Sequence, residues 1–348
     1  MSIAHNPTEI LLQIFHYAVA GSPVEPRSGT KVAFPISQVC RRWRHIALDS
    51  PALWDDVRFP RSTTYQRDTL MLDEVLARSR TRTLTVVFSY SPPDQGETTD
   101  FAPLFNKMIE VCHRFQAIHA ILPRFAMLQF SDILGHRIFP LLIHLHIAQN
   151  DNLTPVSVTF ENAPRLGVLQ LENITLCRNK SRSAQLTALF GGIATPVMDS
   201  LCDLTITHAP SPIFKHVDGP TIIALKSLTL EKLSKSHYNF RLLEFLTSFH
   251  MPHLRYLELS IEDSKSHVSA QLLRALAPPA VYPALRTAKF TGLSLSGITP
   301  DFCYAIPALE TLVLVDLDPS PLVDLLRADS TLCLALRNFY LDGHLRRR

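Results

Sequence analysis

Pro252-His253-Leu254-Arg255-Tyr256-Leu257-Glu258-Leu259 and Pro307-Ala308-Leu309-Glu310-Thr311-Leu312-Val313-Leu314 share one spelling, Pro-x-Leu-x-x-Leu-x-Leu. The closing Leu-x-Leu step has period two, so its side chains point to one face of a short strand. The leucine three residues earlier turns the chain into that strand. The same spelling begins at Pro140 and Pro164, and Pro283-x-Leu285-x-x-Ala288-x-Phe290 is a weaker copy. Without the proline it reads at Leu201, Leu204 and Ile206, at Leu225, Leu228 and Leu230, and at Leu336, Phe339 and Leu341, with a faint copy at Phe115, Ile118 and Ala120. Successive copies start about 24 to 35 residues apart, within the usual length of stacked structural repeats, about 20 to 45 residues.

Between the strands lie segments of helical spacing: residues 184–189, 241–246, 270–276 and 321–326. One strand and one helix per repeat, neither able to bury its face alone, are expected to stack into a solenoid. The pattern resembles a leucine-rich-repeat horseshoe, which implies a parallel sheet on the concave side and helices outside. The resemblance is to loose repeats. The asparagine that closes a strict repeat is present only at Asn150, and Ile174, Leu233, Leu293 or Leu317 holds its place elsewhere. An ordinary α/β domain with leucine-rich strands is the other reading. The fold class expected is α/β either way.

The N-terminus follows another rhythm. Asn6-Pro7-Thr8-Glu9-Ile10-Leu11-Leu12-Gln13-Ile14-Phe15 reads as a helix start at Thr8, where the missing N–H of Pro7 costs little and Glu9 meets the positive end of the helix dipole. Ile36, Val39, Cys40, Trp43, Ile46 and Ala47 then follow spacings of three and four, which predicts one helix preceded by Pro35 and followed by Pro51. Residues 21–31, with Gly21, Pro23, Pro26 and Gly29, read as a loop. Tyr65 to Arg80 reads as a helix and Leu84-Thr85-Val86-Val87-Phe88 as a first strand.

Two stretches, the proline-acid-isoleucine start with Ile14-Phe15 and Val39-Cys40-Arg41-Arg42-Trp43 closed by Leu53-Trp54, together resemble an F-box, of the fungal type with an expanded loop. Asn6 stands where the family carries leucine. The resemblance implies an F-box over 1–57, a connecting helix over 58–83 and a degenerate repeat domain over 84–345. It implies that Pro7, Ile10, Leu11, Ile14, Phe15, Val39, Cys40, Trp43, Leu53 and Trp54 either face a Skp-type adaptor or fill the module's own core. It further implies a cullin scaffold and a RING subunit reached through that adaptor, and a target protein held by the repeats. Such a chain is a non-catalytic substrate receptor of a ubiquitin ligase. The alternative is a repeat-domain binding or scaffold protein that keeps the adaptor contact without a role in ubiquitination. Alternation along the strands puts Thr205, Thr207, Thr229, Glu231, Glu258, Ser260 and Val313 on the outward face, where a target is expected.

Composition narrows the rest. The chain has 348 residues, 46% of them hydrophobic, enough for a small domain and a larger one. A net charge of +3 makes no electrostatic case for nucleic acid. Six scattered cysteines, at 40, 112, 177, 202, 303 and 333, have neither ligand spacing nor a disulfide pattern. They read as thiols of a reducing compartment, cytoplasm or nucleus. No signal peptide or membrane-length apolar run is visible. The 11 glycines form no phosphate loop, and Gly191-Gly192 reads as a helix stop. Gly292-Leu293-Ser294-Leu295-Ser296-Gly297 misses nucleophile-elbow spacing by one position. His144 and His146 share a strand face, but they and His250/His253 lack companions with metal-ligand spacing. The loop Ser91–Glu97 and the tail Arg346-Arg347-Arg348 read as solvated. No single strand face carries an arginine cluster, so nothing here points to a modified target. No cofactor, metal or catalytic residue is expected.

Overall fold

The computed structural model describes residues 6–20, 29–59, 65–90, 101–151, 156–158, 163–176, 200–207, 224–233, 251–261, 273, 276, 282–329 and 331–342. The chain forms two compact units, Met1–Thr154 and Pro155–Arg348. The helical segments read at 184–189 and 241–246, nearly all of 270–276, the loop at 91–97, Gly191-Gly192, His250 and the arginine tail lie outside the described residues.

The first unit opens with three helices, α1 (Thr8–Ala20), α2 (Gly29–Val39) and α3 (Arg41–Leu48), and a 3-10 turn at Pro51–Leu53. Helix α1 begins where Thr8 predicts. The helix expected from Ile36 to Ala47 is instead two. Cys40 is fully extended, at φ −158 and ψ 169, and breaks the run. Its sulfur accepts from the Trp43 backbone N–H at 3.4 Å and so caps α3. The Ser37 carbonyl, which a continuous helix would pair four residues on, accepts from Arg44 Nε at 3.0 Å. The loop also ends earlier than expected: α2 starts at Gly29 and carries Pro35 inside it rather than before it.

Strand β1 (Asp56–Arg58), which no sequence pattern announces, follows, then α4 (Tyr65–Ser79), β2 (Leu84–Ser89), α5 (Ala102–Glu110), β3 (Phe115–Leu122), α6 (Arg124–His136) and β4 (His144–Gln149). Strands β1 to β4 pair in parallel and in sequence order. Helices α5 and α6 cover one face. Phe88 lies between Phe59, stacked at 4.8 Å, and Phe105 and Phe130, each at 6.3 Å.

The second unit contains β5 (Val156–Val158), β6 (Val168–Glu172), β7 (Ile174–Leu176), β8 (Asp203–Thr207), β9 (Ser227–Leu233), β10 (Tyr256–Ile261), β11 (Thr287–Thr291), α7 (Pro300–Ala305), β12 (Thr311–Val315), α8 (Ser320–Ala328) and β13 (Asn338–Asp342). Strand β5 pairs with β7, and β6, β8, β9, β10, β11, β12 and β13 pair in parallel one after another. This stepwise parallel pairing is that of a repeat solenoid. The predicted Leu-x-Leu steps from Leu169 to Leu341 lie on these strands, those at Ile118 and Leu145 lie on β3 and β4 of the first unit, and the helix read at 321–326 lies in α8.

The proline of the repeat has a job the spelling alone does not reveal. A backbone bond from the leucine N–H to a carbonyl three residues back closes a turn before the strand, at Leu166–Ala163, Leu254–Met251, Leu285–Tyr282 and Leu309–Ile306. Proline sits second in each turn, where its fixed φ is already correct. The leucines behind it are buried, from Leu166 and Leu169 through Leu309, Leu312 and Leu314. At β13 the burial stops: Phe339 and Leu341 are exposed. Gly292 has φ +67, and a Cβ there would collide with the Ile261 carbonyl, so its role is close packing of two strand ends. Among the described residues no helix is long and apolar enough to cross a membrane.

Candidate functional site

Helix α1 carries two apolar stripes. Leu11, Phe15 and Val19 recur every four residues and are buried. Ile10, Ile14 and Tyr17 recur at four and three, about a quarter-turn round the helix. They face solvent, with 43% exposure for each isoleucine and 85% for Tyr17. The inner stripe meets the rest of the module: Phe15 lies edge-to-face on Trp43 at 4.8 Å. Leu53 and Trp54 are fully buried. The Trp54 indole N–H donates to the Ala47 carbonyl at 2.8 Å. Phe34 packs edge-on against Trp54, and the Arg78 guanidinium of α4 lies 4.4 Å from the Trp54 ring centre. The carbon-rich pocket leaves Arg78 Nη1 facing rings rather than an acceptor.

The ten residues singled out from the sequence therefore divide. Leu11, Phe15, Leu53 and Trp54 fill the module's core, and Trp43 is half-buried against it. Pro7, Ile10, Ile14, Val39 and Cys40 are exposed, Val39 by 61%. Arg42 donates to the Asn6 carbonyl at 2.6 Å and ties the start of α1 to the start of α3, next to Pro7. Tyr17 belongs with the outward stripe and was missed. Its spacing from Ile14 was the available signal.

The outward face of the second unit's sheet is polar. Pairing register puts Gln170, Thr205, Thr229, Glu258, Lys289, Val313 and Tyr340 in one row across seven strands. Thr207 and Glu231 lie in the next row, as do Ser260 and Thr291. The seven target-face candidates thus alternate with the core leucines as read, although Thr229 is buried. Lys289, which the sequence reading passed over, pairs with Glu258 at 2.7 Å. Tyr256 donates to the same carboxylate at 2.7 Å. Burial, then that carboxylate, pushes ionisation of the Tyr256 phenol upward.

On the first unit's sheet the outward row is Arg58, Val87, His119 and His146, with His144 one row back. The His119 and His146 rings lie edge-to-face at 5.8 Å. Burial, followed by the neighbouring His146 and Arg58, holds the His119 pKa below its ordinary value. No His, Cys, Asp or Glu group suited to a metal ion occurs among the described residues.

With this geometry in place, residues 7–60 match the family model of the F-box-like domain. No curated protein matches the chain. The chain carries an F-box-like domain whose matched span runs from Pro7, at the start of α1, to just beyond β1.

Proposed function

We propose that this protein is a substrate receptor of a Skp–cullin–F-box ubiquitin ligase. F-box domains generally bind Skp-type adaptors, and F-box proteins are typically non-catalytic subunits. The observation that carries the reading is the outward stripe Ile10, Ile14 and Tyr17 on α1, with Val39 at the α2–α3 break. Burying one such side chain in an interface stabilises it by roughly 1.5–3 kcal/mol, so a small helical module gains from a partner there. The adaptor takes this stripe and links the chain to the cullin and the RING subunit. The repeat strands hold the target through Thr205, Glu258 and Val313 of the outward row, in which Thr229 is the buried member, and through their neighbours Thr207, Glu231 and Ser260. The receptor's contribution to catalysis is proximity: the target is held beside a ubiquitin-loaded enzyme. The setting is the cytoplasm or nucleus.

The test is co-expression with a Skp-type adaptor, followed by gel filtration and thermal melting. The parent chain is expected to form a one-to-one complex. Ile14→Asp and Val39→Asp should weaken it at least about tenfold, the cost of placing an uncompensated charge in an interface, without lowering the melting temperature. Full retention of the complex in both variants would sink the adaptor assignment. Addition of the cullin, RING subunit and charged ubiquitin enzyme then separates receptor from scaffold, since only a receptor supports ubiquitin transfer within its complex.

A further inference from the structure

We infer that the strand-entry edge of the second unit docks an extended acidic segment of a protein partner. The inference rests on the reading that the repeats carry the target. Its basis is a ladder of cations assembled across the sheet. The residue just before each strand is Lys226 for β9, Arg255 for β10, Arg286 for β11, Glu310 for β12 and Arg337 for β13. Backbone bonds join them in that order: Arg255 N–H to the Lys226 carbonyl at 2.8 Å, Arg286 to Arg255 at 2.9 Å, Glu310 to Arg286 at 2.8 Å and Arg337 to Glu310 at 2.9 Å. All four cations are exposed. Only Arg286 has an ion partner among the described residues, Glu310 at 3.5 Å, and both members of that pair are well solvated.

Adjacent strands lie about 4.8 Å apart, so the ladder from β9 to β13 is roughly 19 Å long. An extended polypeptide of about six residues covers that length at roughly 3.3 Å per residue. Flexible arginine and lysine stems reach carboxylates on alternate residues of such a segment, and the guanidinium fork suits a carboxylate pair. Glu310 interrupts the ladder, so the residue opposite β12 is expected to be neutral or basic.

The shape of the charge favours a narrow polypeptide over nucleic acid. The ladder is one residue deep. Asp203, Glu258, Glu231 and Glu172 lie in the outward rows behind it, and Lys289 there is engaged with Glu258. A broad polyanion would overlap those carboxylates. The ladder row itself contains no aromatic residue to stack on bases. The sequence hides this feature because its members are far apart along the chain and meet only through strand register.

Fluorescence anisotropy on the full chain tests the proposal. The probe is a labelled peptide of alternating glutamate and serine, with a glutamine-for-glutamate peptide, a phosphoserine peptide and a polyuridine oligonucleotide beside it. The glutamate peptide is expected to bind, to weaken with added salt, and to lose at least about tenfold in affinity in Arg255→Glu and Arg286→Glu. Arg337→Gln, a milder change at the ladder's end, should weaken it less. Circular dichroism and retained adaptor binding show that each variant is folded. Equal binding of the glutamine peptide, tighter binding of the phosphoserine peptide or oligonucleotide, or indifference to both charge reversals would overturn the proposal. So would absence of peptide binding in a chain that still holds the adaptor. Loss of the adaptor complex alone, with peptide binding intact, counts against the receptor reading and leaves the acidic-segment assignment supported.

Discussion

The helical module and the repeat strands dispose of apolar side chains in opposite ways. In α1 three are buried and three are turned out: Leu11, Phe15 and Val19 against Ile10, Ile14 and Tyr17. In β6 through β12 the apolar residues at the Leu-x-Leu positions are buried, while the outward row is hydroxyl, amide or charged apart from Val313. A stacked strand can bury its whole apolar set because its neighbours bring a continuous core. A module of three short helices cannot, and the surplus stays on the surface. The sheet therefore offers a polar face and the module an apolar one, and the two faces suit different partners.

The largest effect should come from the module's inner side. Trp54→Ala removes a fully buried ring together with its bond to Ala47 and its contact with Arg78. We expect a loss of about 3–5 kcal/mol in urea unfolding of the first unit. A change near zero would mean that the module's core lies elsewhere. Ile14→Asp, on the outer side of the same module, should leave unfolding unchanged, so the pair measures the division directly.

Within the repeats the matching pair is Leu257→Ala and Leu341→Ala. Leu257 is buried on both sides by neighbouring strands, and its truncation should cost about 2–5 kcal/mol. Leu341, on the last described strand, is 53% exposed, and its truncation should cost within about 0.5 kcal/mol. Equal costs would show that β13 is covered in solution. Between these extremes lies Tyr90→Phe. The Tyr90 hydroxyl donates to buried Asp68 at 2.6 Å and ties α4 to the chain leaving β2. Loss of that donor should cost about 1–3 kcal/mol by thermal or denaturant melting.

How far the sequence shows all this depends on the range of the interaction. The repeat strands were legible because Pro-x-Leu-x-x-Leu-x-Leu is a local statement, with the turn, the step and the alternation all inside eight consecutive positions such as 252–259. Helix α1 was legible from its start at Thr8, with Pro7 before it and Glu9 in its first turn. The break at Cys40 was not, since the apolar spacing runs straight through it and only the extended backbone and the Arg44–Ser37 bond reveal the stop. Strand β1 has three residues and depends on β2 for its pairing. The split of the ten module residues between core and surface, and the ladder from Lys226 to Arg337, both depend on which distant segment lies alongside, and no local pattern encodes that.

The smallest predicted effect concerns His119, in the first unit's outward row beside His146. His119 is held below its ordinary pKa of 6.5 chiefly by burial, and then by His146 and Arg58. Its charged form is therefore disfavoured in the folded chain relative to the unfolded one. Above pH 6.5 both states hold the neutral ring and His119 contributes no pH dependence. As pH falls through 6.5 the unfolded chain takes up the proton first, and stability declines until the folded pKa is reached, below which the loss is constant. His119→Gln removes this contribution. The variant should melt with a flatter pH dependence than the parent below pH 6.5, and with the same pH dependence above it. An unchanged acid limb would assign the decline to other groups and leave the outward face of β3 electrostatically silent. A flatter limb would show that the polar face of the sheet, unlike the apolar face of the module, responds to protons in the physiological range.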